Sequence, residues 1–171
     1  MEIILMFSAF VRSRTSWGIL LLSGVALELA ALFFQYVMKL DPCVMCVYQR
    51  VAVLGIAAAG IIGLIAPALM LIRVIAATIW GISAVWGVKL AYELYKIQSD
   101  PNPFATCSFL PDFPKWMPLH DWLPSVFMPT GMCTDIPWTF LNVTMAQWMI
   151  VIFVAYVIVL LLFLSSIFSR R

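Results

Sequence analysis

Apolar residues fall in four long runs, about Trp17–Met38, Val47–Ala66, Val74–Tyr95 and Gln147–Phe168. Each is close to the ~20 residues that a helix needs to cross a bilayer. The pattern predicts an all-α membrane protein, a four-transmembrane-helix bundle read as one domain over residues 1–171. The connections are 39–46, 67–73 and 96–146, with ends at 1–16 and 169–171. The apolar run Ile3–Val11 is too short to span and predicts a surface-lying or loosely ordered end. Arg12 and Arg14 follow it. The long apolar stretch beyond them, with no small-x-small cleavage site, argues against a cleaved signal peptide.

Within the second run, Gly55, Gly60 and Gly63 with Ala57 to Ala59 offer a smooth face for close helix approach. Trp17, Tyr36, Tyr48, Tyr92, Tyr95 and Trp148 fall near span ends, as an aromatic belt would. Pro101, Pro103, Pro111, Pro114, Pro118, Pro124, Pro129 and Pro137 punctuate the long connection and forbid a long helix there. Phe113, Trp116, Met117, Leu119, Trp122, Leu123 and Phe127 lie between them. They predict a short amphipathic piece at about Trp116–Phe127, lying in the membrane interface. That piece would hold the loop near the membrane while its two cysteine-bearing ends stay mobile.

Composition agrees with this reading. The chain is 64% hydrophobic and 11% charged, about half the charged fraction of an ordinary soluble domain. A net charge of +2 and the lack of a basic run give no reason to expect a nucleic-acid partner. Four spans put both termini on one side, with Arg12, Arg14, Arg73, Arg170 and Arg171. The other side holds Lys39, Lys96 and Lys115, with Arg50 and Lys89 inside or near its span ends. The arginines cluster at the termini and in the tight Pro67–Arg73 turn, which places that side in the cytoplasm. All four cysteines then lie on the opposite side, where disulfides persist.

The candidate chemistry centres on Asp41-Pro42-Cys43-Val44-Met45-Cys46-Val47-Tyr48-Gln49-Arg50. Pro42 suits a first helical position and Asp41 a cap. Cys43 and Cys46 would then sit in the first turn, where free N–H groups and the helix dipole favour the thiolate, the reactive form. Arg50 stands four residues beyond Cys46, on the same helix face. A plain staple or half of a metal site would have the same spacing. Cys107 and Cys133 form a second pair in the long loop. Its bland reading is a loop-closing disulfide worth roughly 3 kcal/mol; beside a redox-active first pair it could instead exchange thiols with a protein partner. A four-cysteine zinc site usually joins two short-spaced motifs, and Cys107 and Cys133 are far apart, so no metal is expected.

Arg50 could snorkel to head groups or stabilise the Cys46 thiolate and an anionic acceptor. Glu28 falls mid-span, where a bare carboxylate is expensive, and suits packing or proton handling. Gln35 could donate to a ligand carbonyl, but polar glue between helices is the preferred reading. His120 reads as a surface histidine.

The Pro42–Arg50 stretch at a second-span start resembles the DsbB family of bacterial inner-membrane disulfide bond formation proteins. So do Pro103-Phe104-Ala105-Thr106-Cys107, the placement of Cys133, Leu27-Glu28-Leu29, Phe34-Gln35 and Tyr92-Glu93. The resemblance covers essentially the whole chain. It implies a multi-pass inner-membrane protein with cytoplasmic termini and a short and a long periplasmic loop. It also implies that reduced DsbA, the soluble periplasmic oxidant, attacks a Cys107–Cys133 disulfide at Cys107. Cys133 then attacks Cys43 of a Cys43–Cys46 disulfide, and the released Cys46 thiolate engages ubiquinone, or menaquinone without oxygen, near Arg50. Two positions depart from the family pattern. Leu94 follows Tyr92-Glu93 where a histidine can stand, which removes or relocates any help it gives to quinone binding. Gln49 stands where an acid can occur, which should strengthen the field of Arg50. Two alternatives are a paralogue serving another DsbA-like partner and a non-enzymatic scaffold with structural or zinc-binding cysteines.

Overall fold

The computed structural model describes residues 13–100 and 107–168. Four of its helices are long and apolar enough to cross a membrane. They are α1 (Arg14–Tyr36), α2 (Val44–Ile65), α3 (Met70–Ser99) and α6 (Met145–Phe168). Between α3 and α6 lie two single-turn helices, α4 (Leu119–Trp122) and α5 (Pro124–Phe127). A two-residue hairpin follows them, β1 (Thr139–Phe140) with β2 (Val143–Thr144). The run Ile3–Val11 lies outside the described residues.

The four helices match the four apolar runs, and their ends differ by a few residues. Helix α1 begins at Arg14 behind Ser13, three residues before the apolar run. At its far end the chain reverses through Lys39, whose φ of 57° is left-handed. Helix α3 extends beyond Val74–Tyr95 at both ends, taking up Met70–Arg73 and Lys96–Ser99. The turn expected over Pro67–Arg73 therefore shrinks to the residues before Met70. Helix α6 begins at Met145 rather than Gln147 because Thr144 and Gln147 cap it reciprocally. Thr144 N donates to Gln147 Oε1 at 2.8 Å, and Gln147 N donates to Thr144 Oγ1 at 3.3 Å. The hairpin that feeds it turns through Leu141 and Asn142, both at positive φ as a tight two-residue turn requires.

Helix α2 packs against α1 and α3, and α3 packs against α6. Lipid gives helices no hydrophobic reason to associate, so small residues that admit close contact set these interfaces. A Cβ on Gly60 would stand 2.7 Å from the backbone nitrogen of Leu21, and Gly24 faces Ala57. Gly63 lies under the Trp17 ring, Gly55 under the Ser83 hydroxyl and Gly87 under the Phe153 ring. The smooth face read in the second run is thus shared between two neighbours, α1 and α3. Trp17 was expected in the aromatic belt but is 1% exposed. It fills the gap that Gly63 leaves and meets Phe163 edge-on, with ring centroids 5.1 Å apart.

The outer faces carry large bare aliphatics such as Leu22, Ile82 and Leu71 at 66–70% exposure, which suits lipid as the surrounding solvent. One seam stays open. The backbones of α1 and α6 make few close approaches; these helices meet through the Trp17–Phe163 ring pair and through Tyr156 Oη, which donates to Ser23 Oγ at 2.9 Å. A cavity of about 580 Å³ lies there, walled by Leu20, Trp80, Val159 and Phe163 among others.

Candidate functional site

Cysteine chemistry gathers at one end of the bundle. The chain enters α2 with Cys43, not Asp41, as the N-cap. Cys43 is extended (φ −80°, ψ 166°), and its Sγ accepts from Cys46 N at 3.1 Å. A sulfur three residues before an unpaired N–H takes the place that a serine or aspartate oxygen usually fills. Pro42 therefore precedes the cap instead of opening the helix. The Asp41 carboxylate accepts from Thr130 Oγ1 at 2.9 Å instead of capping. Cys43 and Cys46 form a disulfide with Cα atoms 5.0 Å apart.

Cys107 and Cys133 form the second disulfide, with Cα atoms 6.0 Å apart across 26 residues of sequence. Cys43 and Cys133 are buried in one cluster with Leu94 and Ala146, and Cys46 and Cys107 pack against it. The expected mobility of both cysteine-bearing ends is corrected for the Cys133 end. Cys133 is fully buried, and its neighbours are pinned on both sides. Thr130 N and Gly131 N donate to Pro42 O at 3.0 and 3.1 Å, and Gln98 Nε2 donates to Asp135 O at 3.0 Å. The reason is backbone satisfaction: a loop lying over protein must pair its polar groups, and these partners are in reach.

The amphipathic piece falls where expected, as α4 and α5 with Trp116 and Trp122 exposed. It is latched to the bundle through two carbonyls. Gln35 Nε2 and Tyr36 Oη donate to Ser125 O at 3.0 and 2.6 Å. Arg50 Nη1 donates to Val126 O at 2.8 Å. Tyr48, read as a belt residue, accepts from Asp112 N at 2.6 Å and holds Phe113 edge-on. His120 is not a simple surface group. It is half-buried, stacks on Phe113 at 5.7 Å and approaches Asp121.

Beneath the inner pair is a cavity of about 470 Å³, walled mainly by Leu27, Phe34, Val53, Leu94, Trp138, Met149 and Ile152. Cys43 and Cys46 line its outer end, and Glu28, Gln35, Gln49 and Arg50 add polar groups. Arg50 is 7% exposed, so it does not snorkel. Its guanidinium donates to Gln35 Oε1 at 2.7 Å and to Ala31 O at 3.2 Å, besides Val126 O. Gln35 is thus the glue between α1, α2 and α5. Three polar atoms on this wall, Glu28 Oε1, Gln49 Nε2 and Gln98 Oε1, are buried with no hydrogen-bond partner among the described residues. An unsatisfied donor and an unsatisfied carboxyl oxygen in one apolar cavity fit a flat, mostly apolar ligand with polar atoms at its edge. Leu94 closes the wall nearest the cysteines.

Arg50 and Gln35 were legible as candidates, but their latch on the loop was not. Thr130 and Gly131 lack a signal in sequence because their partners lie some ninety positions away. Gln49 was visible only as a departure from a pattern, and its orphaned amide is the structural reason to count it in the site.

Two disulfides packed into one cluster can trade partners, and a bundle of spanning helices with an apolar cavity below them ties that exchange to the membrane. This is the class of multi-pass membrane disulfide-forming oxidoreductases. Comparison with known proteins agrees. Residues 13–163 match the family model described as Disulfide bond formation protein DsbB. The Disulfide bond formation protein B of Shewanella amazonensis is 64% identical over 162 residues, covering 95% of this chain and 96% of that protein. That of Shewanella frigidimarina is 60% identical over 155 residues, covering 91% and 92%. The chain belongs to the DsbB family.

Proposed function

We propose that the chain oxidises a soluble periplasmic thioredoxin-like protein, DsbA, and passes the electrons to a membrane quinone, ubiquinone or, without oxygen, menaquinone. Its setting would be the bacterial inner membrane with both termini cytoplasmic. Arg14 in the first turn of α1 and Arg73 in the first turn of α3 lie at the end of the bundle away from the cysteines, which supports that orientation.

The observation that carries the proposal is the graded burial of the sulfurs. Cys107 is partly exposed, Cys133 is fully buried beside Cys43, and Cys46 opens on the cavity. An incoming thiolate therefore meets Cys107 first. Cys133, released, is packed against Cys43 and is the natural nucleophile for it. Breaking Cys43–Cys46 leaves the electron pair on Cys46, at the cavity wall. Arg50 lines the same cavity and supplies the positive charge that favours a Cys46 thiolate. A quinone bound there would accept an electron pair and two protons. Glu28, Gln35, Gln49 and Arg50 are the residues placed to hold its polar edge, and the apolar walls keep water out.

The test mixes the detergent-solubilised protein with reduced DsbA and a short-chain ubiquinone and follows loss of quinone absorbance. The proposal expects turnover that stops in Cys43→Ser. Turnover at the parental rate in that variant would remove the inner pair from the route.

A further inference from the structure

The two loops are joined by a small backbone clasp that lies beside the meeting of Cys133 with Cys43. Pro42 O accepts from two consecutive amides, Thr130 N at 3.0 Å and Gly131 N at 3.1 Å. Thr130 Oγ1 donates to Asp41 Oδ1 at 2.9 Å. A Cβ on Gly131 would collide with Asp41 O and stand 3.0 Å from its carbonyl carbon. Gly131 has no positive φ, so glycine is needed for close approach and not for backbone conformation. The acceptor, Pro42, directly precedes Cys43, and Gly131 stands two residues before Cys133. Each strand of the clasp thus ends at one of the two sulfurs that pack in the same cluster.

We propose that Thr130 and Gly131 are positioning residues for exchange between the disulfides: their clasp on Asp41-Pro42 holds Cys133 at Cys43 once Cys107 has been taken by an external thiol. The inference rests on the relay proposed above. In the step concerned, the Cys133 thiolate attacks Cys43 Sγ. The Cys133–Cys43 bond forms as Cys43–Cys46 breaks, and the electron pair leaves on Cys46. The external dithiol supplies that pair and stays joined to Cys107. Such a displacement needs the three sulfurs in line at contact distance, and fixing that geometry in advance is where positioning accelerates a reaction. Without the clasp, the hydrogen bonds nearest Cys133 that tie the loop to the helices would be the Asp135–Gln98 contact on one side and the latch at Ser125 and Val126 on the other.

The experiment uses the full chain in detergent, reduced with one equivalent of a soluble thioredoxin-like dithiol protein. It is quenched with acid at millisecond to second times and alkylated, and disulfide-linked peptides are quantified by mass. In the parent a Cys43–Cys133 species should accumulate. Gly131→Ala should slow its appearance at least tenfold. Thr130→Val, which removes one hydrogen bond, should slow it by about fivefold, and Thr130→Ser should restore the parental rate. In all three variants, reoxidation of a chemically pre-reduced inner pair by decylubiquinone should stay at the parental rate, which also reports that the bundle is folded. Parental formation of the Cys43–Cys133 species in both Gly131→Ala and Thr130→Val would overturn the clasp and leave the relay standing. Failure of the parent itself to form that species would overturn the relay, and the clasp with it.

Discussion

The two disulfides share a cluster but owe their places to different physics. The inner pair is set locally. Its cysteines stand three positions apart, the first caps α2, and the backbone N–H of the second points at the sulfur of the first. The outer pair is set by tertiary contacts alone: 26 residues separate its cysteines. What holds Cys133 is a set of hydrogen bonds, accepted by Pro42 O and donated by Gln98, with the Arg50 and Gln35 latch further up the loop. A pair fixed by a helix start keeps its geometry whenever α2 is formed. A pair fixed by docking can be undocked, which suits the end that must meet another protein.

That contrast can be broken outright. Cys46→Ala should abolish quinone reduction, whatever the state of the loop. Cys107→Ser should stop electron entry from a protein dithiol, yet an inner pair reduced chemically should still be reoxidised by added quinone. Equal loss in both variants, measured by quinone absorbance with the two electron sources, would erase the distinction.

A smaller effect tests the one side chain common to both regions. Arg50 lines the cavity and also donates to Val126 O of the loop. Arg50→Ala should raise the apparent KM for quinone about tenfold, as loss of a charged hydrogen-bond donor implies, with both disulfides still formed. It should also speed proteolysis of the loop near Ser125. A changed KM with unaltered proteolysis would confine Arg50 to the cavity.

The smallest effect lies away from both pairs. Thr144→Val removes one half of the α6 capping box and should cost about 1 kcal/mol locally. Faster hydrogen exchange at Met145–Trp148, with turnover unchanged, is the expected result.

The four crossings were legible because a bilayer demands long apolar runs and little else resembles them. Their ends were less so. The Cys43 cap was obscured by Asp41 and Pro42, both better helix-start residues by composition. The Thr144–Gln147 box was present in the sequence but straddled the boundary between what read as loop and what read as span. Trp17 looked like an interfacial tryptophan because its partner, the bare backbone of Gly63, is invisible without the fold. The cysteines and Arg50 were readable from spacing on one helix. The clasp and the latch were not, because each joins residues whose proximity only the packed bundle creates.

The loosely packed seam between α1 and α6 has a bearing on supply. Leu27 and Ile152 wall both the upper cavity and the lower one, so the two spaces adjoin along that seam. If a greasy molecule diffusing in the bilayer enters along that seam, it must part the Ser23–Tyr156 contact and need not cross water. Encounter rates would then follow the two-dimensional density of that molecule among the lipids, and swelling the surrounding micelle would starve the protein as surely as removing the molecule.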